Sequence, residues 1–312
     1  MFSSVAGSFG VPVILIEPYK NQPEITTDSF VPGDFEPCDW CGEWPKASKK
    51  ETRVQSRVLI LTRGKLLTSA RGPKQLLQGV IYAMLGHWIL FKAGWLHRDV
   101  SIGNVLLMME PEPRNPVEAF SNLGELYFNE CVGFIIDGDL AVKWNNLDHE
   151  DALRRSGTPP FMSINLIQSW LSGEEIYHTP IDDLESFIWV LLWAIFDILP
   201  KKRIQLTPVE QRYNDSLRSN SLGLLGVKGG LLDDLDIRPL KKWSSGFRAF
   251  APLLKEWLTL AKQARAEMIA FEDSPPTDVE FYKNYYAQYL EIGVKYLNDL
   301  PEDWPYVPSL SS

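Results

Sequence analysis

The sequence predicts an α+β fold in which a small, partly β front precedes a large helical body. Short β-rich runs fall within residues 1–66, whereas apolar residues at three- and four-residue spacing dominate the chain beyond residue 160. The composition supports a folded core, because 45% of the 312 residues are hydrophobic and 12% are aromatic. The length of 312 residues favours two compact units rather than one, and we place them at residues 1–66 and residues 67–312.

The first unit contains two β-strand candidates, Val11–Ile16 and Arg57–Thr62. A stretch rich in Pro, Asp and Gly separates them, and this composition is typical of a long loop. After the second strand, Arg63–Lys65 predicts a turn. The spacing of apolar residues then predicts a helix over Lys74–Ala93, which Gly94 ends as a C-terminal glycine.

The second unit continues with two apolar runs, Asn104–Met109 and Val132–Ile136, which predict further strands. Residues 110–131 are polar and contain prolines, so they predict a hairpin or a surface insertion. Helical periodicity dominates the rest of the chain. Three stretches carry it most clearly: one that begins at Asp183, Gly246–Phe271 and Thr277–Leu297.

Charge and hydropathy narrow the possible partners. The chain has 31 Lys and Arg against 40 Asp and Glu, a net charge of −9, and the basic residues are not clustered, which argues against nucleic-acid binding. The longest strongly apolar run, Phe187–Leu199, contains Asp197 and is shorter than the roughly 20 residues of a membrane-spanning helix. We therefore expect neither a nucleic-acid partner nor a membrane segment.

The cysteines and the N-terminal residues bear on the compartment. Three cysteines, an odd number, do not make a disulfide framework. Cys38 and Cys41 have half the spacing of a zinc site, but a structural site takes four ligands, so we interpret them as two free thiols in a polar loop. No basic stretch precedes the first apolar residues, which argues against a secretory signal. We expect an intracellular protein, cytoplasmic or nuclear.

The sharpest local pattern is His97-Arg98-Asp99, with Asn104 five positions after the aspartate and a β-like run directly behind it. This pattern is typical of the catalytic loop of protein kinases. The spacing has a chemical reason. A carboxylate must accept or orient the proton of the attacking hydroxyl, while an amide oxygen one loop turn away holds a magnesium ion at the same phosphoryl group.

Three further patterns follow in order. Asp137 ends an apolar strand and suits a second magnesium ligand, because Mg²⁺ takes one or two carboxylates besides phosphate oxygens. Ser156–Met162 has the pattern of the end of a kinase activation segment. Asp183 opens the most apolar helix, where a buried carboxylate would accept backbone N–H groups of the catalytic loop. Four patterns in this order argue against coincidence.

From about Arg57 to Phe196 the chain resembles the C-terminal lobe of eukaryotic protein kinases, and it is most similar to the fungal-type protein kinase family. His87, ten residues before His97, also resembles the family. The motifs that carry the resemblance are His97–Ser101, Asp137–Ala141, Gly157–Thr158 with Phe161-Met162, and Asp183–Ser186. The resemblance implies a helical C-terminal lobe over residues 67–312, and a truncated N-terminal lobe and hinge over residues 1–66.

The resemblance also implies roles for single residues. Asp99 would be the catalytic base, Asn104 and Asp137 the magnesium ligands, and Asp183 the buried anchor of the loop. His97 would support the loop. The substrates would be ATP, bound with Mg²⁺, and a Ser or Thr hydroxyl of a protein.

Further residues gain roles from the same resemblance. Arg98 would meet a phosphorylated residue of the segment between Asp137 and Thr158, and Thr158 would align Asp99 with the acceptor. The hinge that faces adenine would be formed by Leu61, Thr62 and Gly64.

The front of the chain departs from the kinase pattern. No segment of the first 60 residues reads G-x-G-x-x-G or V-A-I-K, the phosphate loop and strand lysine of protein kinases. Gly7–Gly10 does not qualify as a phosphate loop, because no strand precedes it. Asn165 stands where the family has a glutamate that ends the activation segment and pairs with a distant arginine.

These departures leave two alternatives to an active protein kinase. One is a catalytically weak or inactive pseudokinase that serves as an interaction module. The other is a small-molecule kinase of the aminoglycoside or choline type, whose loop also lacks a lysine two residues after the aspartate. Gly157–Phe161 argues against the second alternative, because such enzymes lack a peptide-docking segment of this kind.

Overall fold

The computed structural model describes residues 5–16, 25–26, 52–53, 58–115, 117–123, 130–144, 157–174, 177–219, 221–233, 235, 242–271 and 275–305. Cys38, Cys41, Ser156 and most of the predicted long loop lie outside these ranges.

The described part of the chain is dominated by helices. They are α1 (Pro73–Lys92), α2 (Ile164–Ser172), α3 (Pro180–Lys201), α4 (Pro208–Leu217), α5 (Ser221–Asp233), α6 (Ser245–Ile269) and α7 (Val279–Leu297). Among the described residues, these helices include no segment that is long and apolar enough to cross a membrane.

The helix predictions are confirmed with small shifts of their boundaries. α1 lies one residue before the predicted Lys74–Ala93, and α6 and α7 match the two later helices. α3 begins at Pro180 rather than Asp183. The reason is a capping box, in which Asp182 accepts hydrogen bonds from the Thr179 backbone N–H and hydroxyl one turn earlier than predicted.

The strands are short and pair antiparallel. They are β1 (Ile14–Ile16), β2 (Ile25–Thr26), β3 (Thr52–Arg53), β4 (Val58–Ile60), β5 (Gly64–Leu66), β6 (Trp95–Leu96), β7 (Val105–Pro113), β8 (Glu130–Ile135) and β9 (Val142–Lys143). β1 pairs with β4, β2 with β3 and β6 with β9, while β5, β7 and β8 form a three-stranded sheet with β7 in the centre.

The turn predicted over Arg63–Lys65 is wrong. Gly64–Leu66 forms β5, in which Gly64 lies opposite Met108 of β7. A Cβ on Gly64 would lie 2.8 Å from side-chain atoms of Leu106 and Phe134, so the glycine permits close packing of the strand. Tertiary packing here outweighs the local turn signal.

The segment around Gly10 is buried between α1 and β8 rather than placed at a phosphate site. Gly10 O accepts the N–H of Ile135, and its own N–H donates to Cys131 Sγ at 3.3 Å. A Cβ on Gly86 of α1 would lie only 2.0 Å from Gly10 O. Two glycines therefore allow this backbone-to-helix approach, and Phe9 beside it is fully buried.

Helix α3 lies at the centre of the helical body and contacts α1, α6 and α7. Almost every residue from Pro180 to Leu199 is buried, including Trp189 and Phe187. Its first two turns contain three buried carboxylates, Asp182, Asp183 and Glu185, which accept hydrogen bonds from neighbouring loops. This helix therefore provides the fixed base on which the site is built.

Candidate active site

The loop between β6 and β7 contains His97, Arg98, Asp99 and Asn104. His97 is fully buried, and burial lowers its pKa, so the imidazole is neutral. Its Nε2–H donates to the carbonyl of Ile136 at 2.9 Å, and its Nδ1 accepts the N–H of Asp99 at 3.3 Å. His97 thus ties the loop to the end of β8.

Asp99 is half-buried, and both of its carboxylate oxygens accept hydrogen bonds. Oδ1 accepts from the backbone N–H of Thr158 at 2.9 Å and from its hydroxyl at 2.8 Å. Oδ2 accepts from Asn104 Nδ2 at 3.0 Å, and the same amide nitrogen reaches the Asp99 carbonyl at 2.8 Å. The carboxylate is therefore fixed from two sides, by its own loop and by a segment 59 residues further along.

Asn104 and Asp137 lie at the same end of the β7–β8 pair. The first residue of β7, Val105, lies opposite the last residue of β8, Ile135. Ile136 N–H donates to the carbonyl of Asn104 at 2.9 Å, which fixes the residue before Asp137. Antiparallel pairing thus brings together two residues that are 33 positions apart, the same two that the motifs predict as metal ligands.

The oxygens of this pair suit a magnesium ion. Because Asn104 Nδ2 is bound to Asp99, the carbonyl oxygen Oδ1 is the free end of the amide with respect to the described residues. Asp137 is exposed, and its Oδ1 accepts only a long 3.3 Å hydrogen bond from Asp139 N–H within the described ranges. Carboxylate and amide oxygens are ligands that Mg²⁺ accepts. No cluster of three or more His, Cys, Asp or Glu that could hold a metal occurs among the described residues.

Asp183 accepts three hydrogen bonds in the interior. Its Oδ2 accepts the N–H of Arg98 at 3.0 Å and His87 Nε2 at 2.7 Å, and its Oδ1 accepts His178 Nε2 at 2.8 Å. Burial alone raises the pKa of a carboxyl group, but the two histidines hold the pKa of Asp183 well below its usual range. Asp183 is therefore an ionised anchor for the loop backbone.

The anchor stabilises an unusual backbone conformation. Arg98 has a φ of 69°, in the left-handed region that costs a non-glycine residue about 1 kcal/mol or more. Asp137, which follows the end of β8, also lies in this region, with a φ of 64°. Both strained residues directly adjoin fixed groups, since Asp183 holds the Arg98 N–H and Asn104 holds the N–H of Ile136.

Two side chains of this network gave no signal in the sequence. His178 precedes α3 in no recognisable motif, yet its side chain is only 5% exposed and binds Asp183. Tyr286 of α7 donates its hydroxyl to His87 Nδ1 at 2.5 Å, and burial raises its pKa well above the usual range. Tyr286 is one of several tyrosines in the amphipathic helix α7, so only the fold reveals its contact.

The predicted hinge residues lie apart from the loop contacts. Leu61 is 49% exposed and donates its N–H to the carbonyl of Val13. Thr62 is buried, and its hydroxyl oxygen accepts the N–H of Val13 at 2.9 Å. Gly64 lies in β5, which is separated from β8 by the central strand β7. Their role in binding adenine stays a prediction, as does the role of Arg98 towards a phosphorylated residue.

A loop carboxylate fixed from two sides, a strand-end carboxylate beside an amide, and a buried helix anchor together define a protein-kinase-like C-terminal lobe. A model of the fungal protein kinase family matches residues 19–195, more than half of the 312 residues. The chain therefore belongs to the fungal protein kinase family, which confirms the family and the fold class predicted from the motifs. A comparison with curated proteins gives no match.

Family membership also bears on ligands. The kinase family in general uses ATP and a divalent metal ion and acts on proteins. The match begins at residue 19, well before Arg57, so the family relationship extends into the front of the chain.

Proposed function

We propose that this chain is a protein kinase that transfers the γ-phosphoryl group of ATP to a serine or threonine hydroxyl of a protein. The observation that carries the proposal is the double support of Asp99, by Thr158 on one oxygen and by Asn104 on the other. A base for phosphoryl transfer has to be positioned rather than merely present, because positioning and charge neutralisation supply most of the catalysis.

The hydrogen bonds of Asp99 leave one position of its carboxylate open to the hydroxyl group of a protein substrate. A carboxylate has about four acceptor positions. Thr158 occupies two of them on Oδ1, and Asn104 occupies one on Oδ2. The remaining position on Oδ2 would accept the hydroxyl proton of a substrate serine or threonine, and the neighbouring Thr158 would keep the carboxylate from rotating away.

Asn104 and Asp137 would hold the metal ion, through the amide Oδ1 and the carboxylate. Bound there, Mg²⁺ would neutralise charge on the β- and γ-phosphates. The residues themselves contribute position: Ile136 N–H fixes the Asn104 carbonyl, and the Asn104 amide links the metal ligand directly to the base. Displacing one of these residues is therefore expected to disturb the other.

The test is titration of the protein with Mg-ATP by calorimetry, followed by phosphotransfer to a generic acceptor protein. We expect saturable, magnesium-dependent binding that Asp137→Ala abolishes. Asp139→Ala is the matched control, because Asp139 is an exposed carboxylate two residues away, and its described contact with Asp137 is made by its backbone N–H. Transfer to Ser and Thr should be absent in Asp99→Asn, and absence of binding at millimolar ATP would overturn the proposal.

One observation favours a second candidate, an inactive kinase-like interaction module. The first 60 residues contain neither a G-x-G-x-x-G loop nor a V-A-I-K strand, the two elements that hold ATP phosphates in protein kinases. A module of this class would keep the folded loop and its contacts but would give no heat of Mg-ATP binding. Transfer to small alcohols without transfer to protein would instead favour a small-molecule kinase.

A further inference from the structure

The segment Gly157–Ile164 connects Asp99 to helix α2. Its first part is tied to the base through Thr158, and Pro159–Phe161 form a single 3₁₀ turn. A segment of this kind holds Asp99 in place only if its far end is itself fixed. Position 165, where the family resemblance calls for a clamping glutamate, is occupied by Asn165.

The neutral side chain of Asn165 cannot form the charge pair that the family's glutamate makes with an arginine. Asn165 lines a cavity of about 350 Å³ together with Gln168 and Arg265. The Arg265 guanidinium donates to the neutral Gln168 side chain, a residue of the same helix as Asn165. Among the described contacts, Arg265 therefore has a neutral partner on the helix that contains position 165.

A different charge pair binds the far end of the segment. Lys228 of α5 is fully buried, and its ammonium group donates to the carbonyl of Met162 at 2.5 Å. Glu185 of α3 is 3% exposed, and its Oε1 accepts the N–H of Ile164 at 2.9 Å. Two buried, oppositely charged side chains from two helices thus bind the backbone on either side of Ser163.

The same two residues share Trp189. Its Nε1–H donates to Glu185 Oε1 at 3.0 Å, and the ammonium group of Lys228 lies 4.6 Å from the centre of its ring. Burial raises the pKa of Glu185 and lowers that of Lys228 to about 7, and each charge opposes the shift of the other. Removal of one charge would leave the other buried without its partner, which is strongly unfavourable.

Ser163 itself is bound by Asp182, which lies one helical turn before Glu185 in α3. Its hydroxyl donates to Asp182 Oδ1 at 2.6 Å. It also caps α2 by accepting the N–H of Leu166 at 3.1 Å. Three consecutive residues, Met162 to Ile164, are therefore each bound by a buried charged side chain.

We propose that Lys228 and Glu185 are positioning residues that fix the acceptor-docking segment Thr158–Ile164, in place of a glutamate at position 165. The inference rests on the proposed kinase function, in which this segment both aligns Asp99 and receives the protein substrate. Neither residue touches the reacting atoms. They act through the Met162 carbonyl and the Ile164 N–H, and through these on Thr158 and Asp99.

The test combines amide hydrogen exchange with kinetics on the whole chain. In Lys228→Met, which keeps the length of the side chain and removes its charge, we expect faster exchange at Thr158, Phe161 and Ile164. Lys262→Met is the matched control, because the Lys262 side chain is 54% exposed and pairs with the surface carboxylate of Asp233. The KM for the acceptor protein should rise about tenfold, as expected for loss of one charge-assisted hydrogen bond, while the affinity for Mg-ATP stays unchanged.

Glu185→Gln and the double variant Glu185→Gln/Lys228→Met guard against simple unfolding. Gln retains an acceptor for Ile164 N–H, and the double variant leaves no unpaired buried charge. Loss of the KM effect on adding Glu185→Gln to Lys228→Met would support a coupled pair. Unchanged exchange at the three amides in Lys228→Met would overturn the inference, as would an equal rise of the KM for ATP.

These outcomes separate the two proposals. If the wild-type chain fails to bind Mg-ATP, the kinase function fails, and the exchange experiment still reports whether the pair holds the segment. If the chain is active and Lys228→Met matches Lys262→Met in both measurements, the kinase function stands and the positioning role does not.

Discussion

The carboxylate of Asp183 holds the backbone N–H of Arg98 at 3.0 Å, across 85 positions of sequence. The same carboxylate is bound by His87 and His178. A charged group in the interior normally destabilises a fold unless its hydrogen bonds are complete. Here three donors from three parts of the chain complete them, so the buried first turn of α3 determines the shape of the candidate catalytic loop.

Replacement of this anchor gives the first prediction. Asp183→Asn removes the ionised acceptor of three donors, and we expect a loss of about 3–5 kcal/mol in the free energy of unfolding at pH 7. Urea unfolding monitored by circular dichroism measures it. Asp197→Asn is the control, since Asp197 forms surface ion pairs and should change the stability by less than about 1 kcal/mol.

The lowered pKa of Asp183 also predicts how the stability of the protein depends on pH. The pKa of Asp183 is depressed in the folded state, so the unfolded chain binds the proton first as the pH falls. The stabilisation is therefore complete above the unfolded pKa of about 3.9 and is lost below it. A wild-type chain and Asp183→Asn with parallel stability curves between pH 5 and pH 3 would contradict this assignment.

The second prediction concerns Thr158. Thr158→Val keeps the shape and the backbone N–H but removes the hydroxyl that donates to Asp99 Oδ1 at 2.8 Å. A hydrogen bond to a charged group contributes about 1.5–3 kcal/mol, so kcat should fall roughly 10- to 100-fold. Steady-state phosphotransfer kinetics measure it, with Mg-ATP affinity unchanged. Thr158→Ser retains the hydroxyl and should keep most of the activity, and equal losses in both variants would argue against the alignment role.

Local motifs were enough to predict the fold class, and they singled out Asp99, Asn104, Asp137 and Asp183, whose catalytic and metal-binding roles stay predictions. Asp99 and Asn104 lie five residues apart on one loop, and Asp137 follows a β-like run, so short-range spacing contains their relationship. His178 and Lys228 were missed because their contacts are non-local or lack a motif. Lys228 meets Met162 across 66 positions, and a lone lysine in a glycine-rich stretch predicts a solvent-exposed side chain.

At the front of the chain, the local pattern does not indicate the observed structure. Arg63–Lys65 contains the residues of a turn, but Gly64 forms β5 because β7 lies beside it. Gly7–Gly10 gave no interpretable element, although Gly10 is bound by both Cys131 and Ile135. In both cases the deciding contact comes from more than 40 positions away, beyond the reach of a local pattern.

The third prediction concerns the titration of Lys228. Burial lowers the pKa of this group to about 7, so the unfolded chain, with a lysine pKa of about 10.4, binds more protons between these values. Stability contributed by this site therefore rises with pH from about 7 to about 10. Titratable groups that act on the site include Glu185 and, through Glu185, Asp182 and Tyr289.

The comparison with Lys228→Met isolates this contribution. As the pH rises from 7 to 10, the wild type should gain stability relative to Lys228→Met. Urea unfolding at four or five pH values measures it, and Lys262→Met corrects for general effects of charge. A pH-independent difference would show that Lys228 keeps an ordinary pKa in the fold.

The fourth prediction sets two glycine substitutions against each other. Gly226 lies in α5, where a Cβ would have no heavy atom within 4 Å, so Gly226→Ala should stabilise the protein by about 1 kcal/mol through helix propensity alone. In Gly86→Ala the new Cβ would lie 2.0 Å from Gly10 O, a backbone atom that no side-chain rotation can move. We expect a loss of about 2 kcal/mol or more, as for other overpacked interiors.

Comparison of the two variants makes the prediction specific, because a general effect of an added methyl group would change the stability of both in the same direction. Urea midpoints measure the stabilities. Amide exchange at Ile135, whose N–H donates to Gly10 O, reports whether Gly86→Ala displaces the buried front segment. Unchanged protection of Ile135 together with an unchanged midpoint in Gly86→Ala would mean that Gly10 does not pack against α1, and the burial of Phe9 and Val11 would then need another cause.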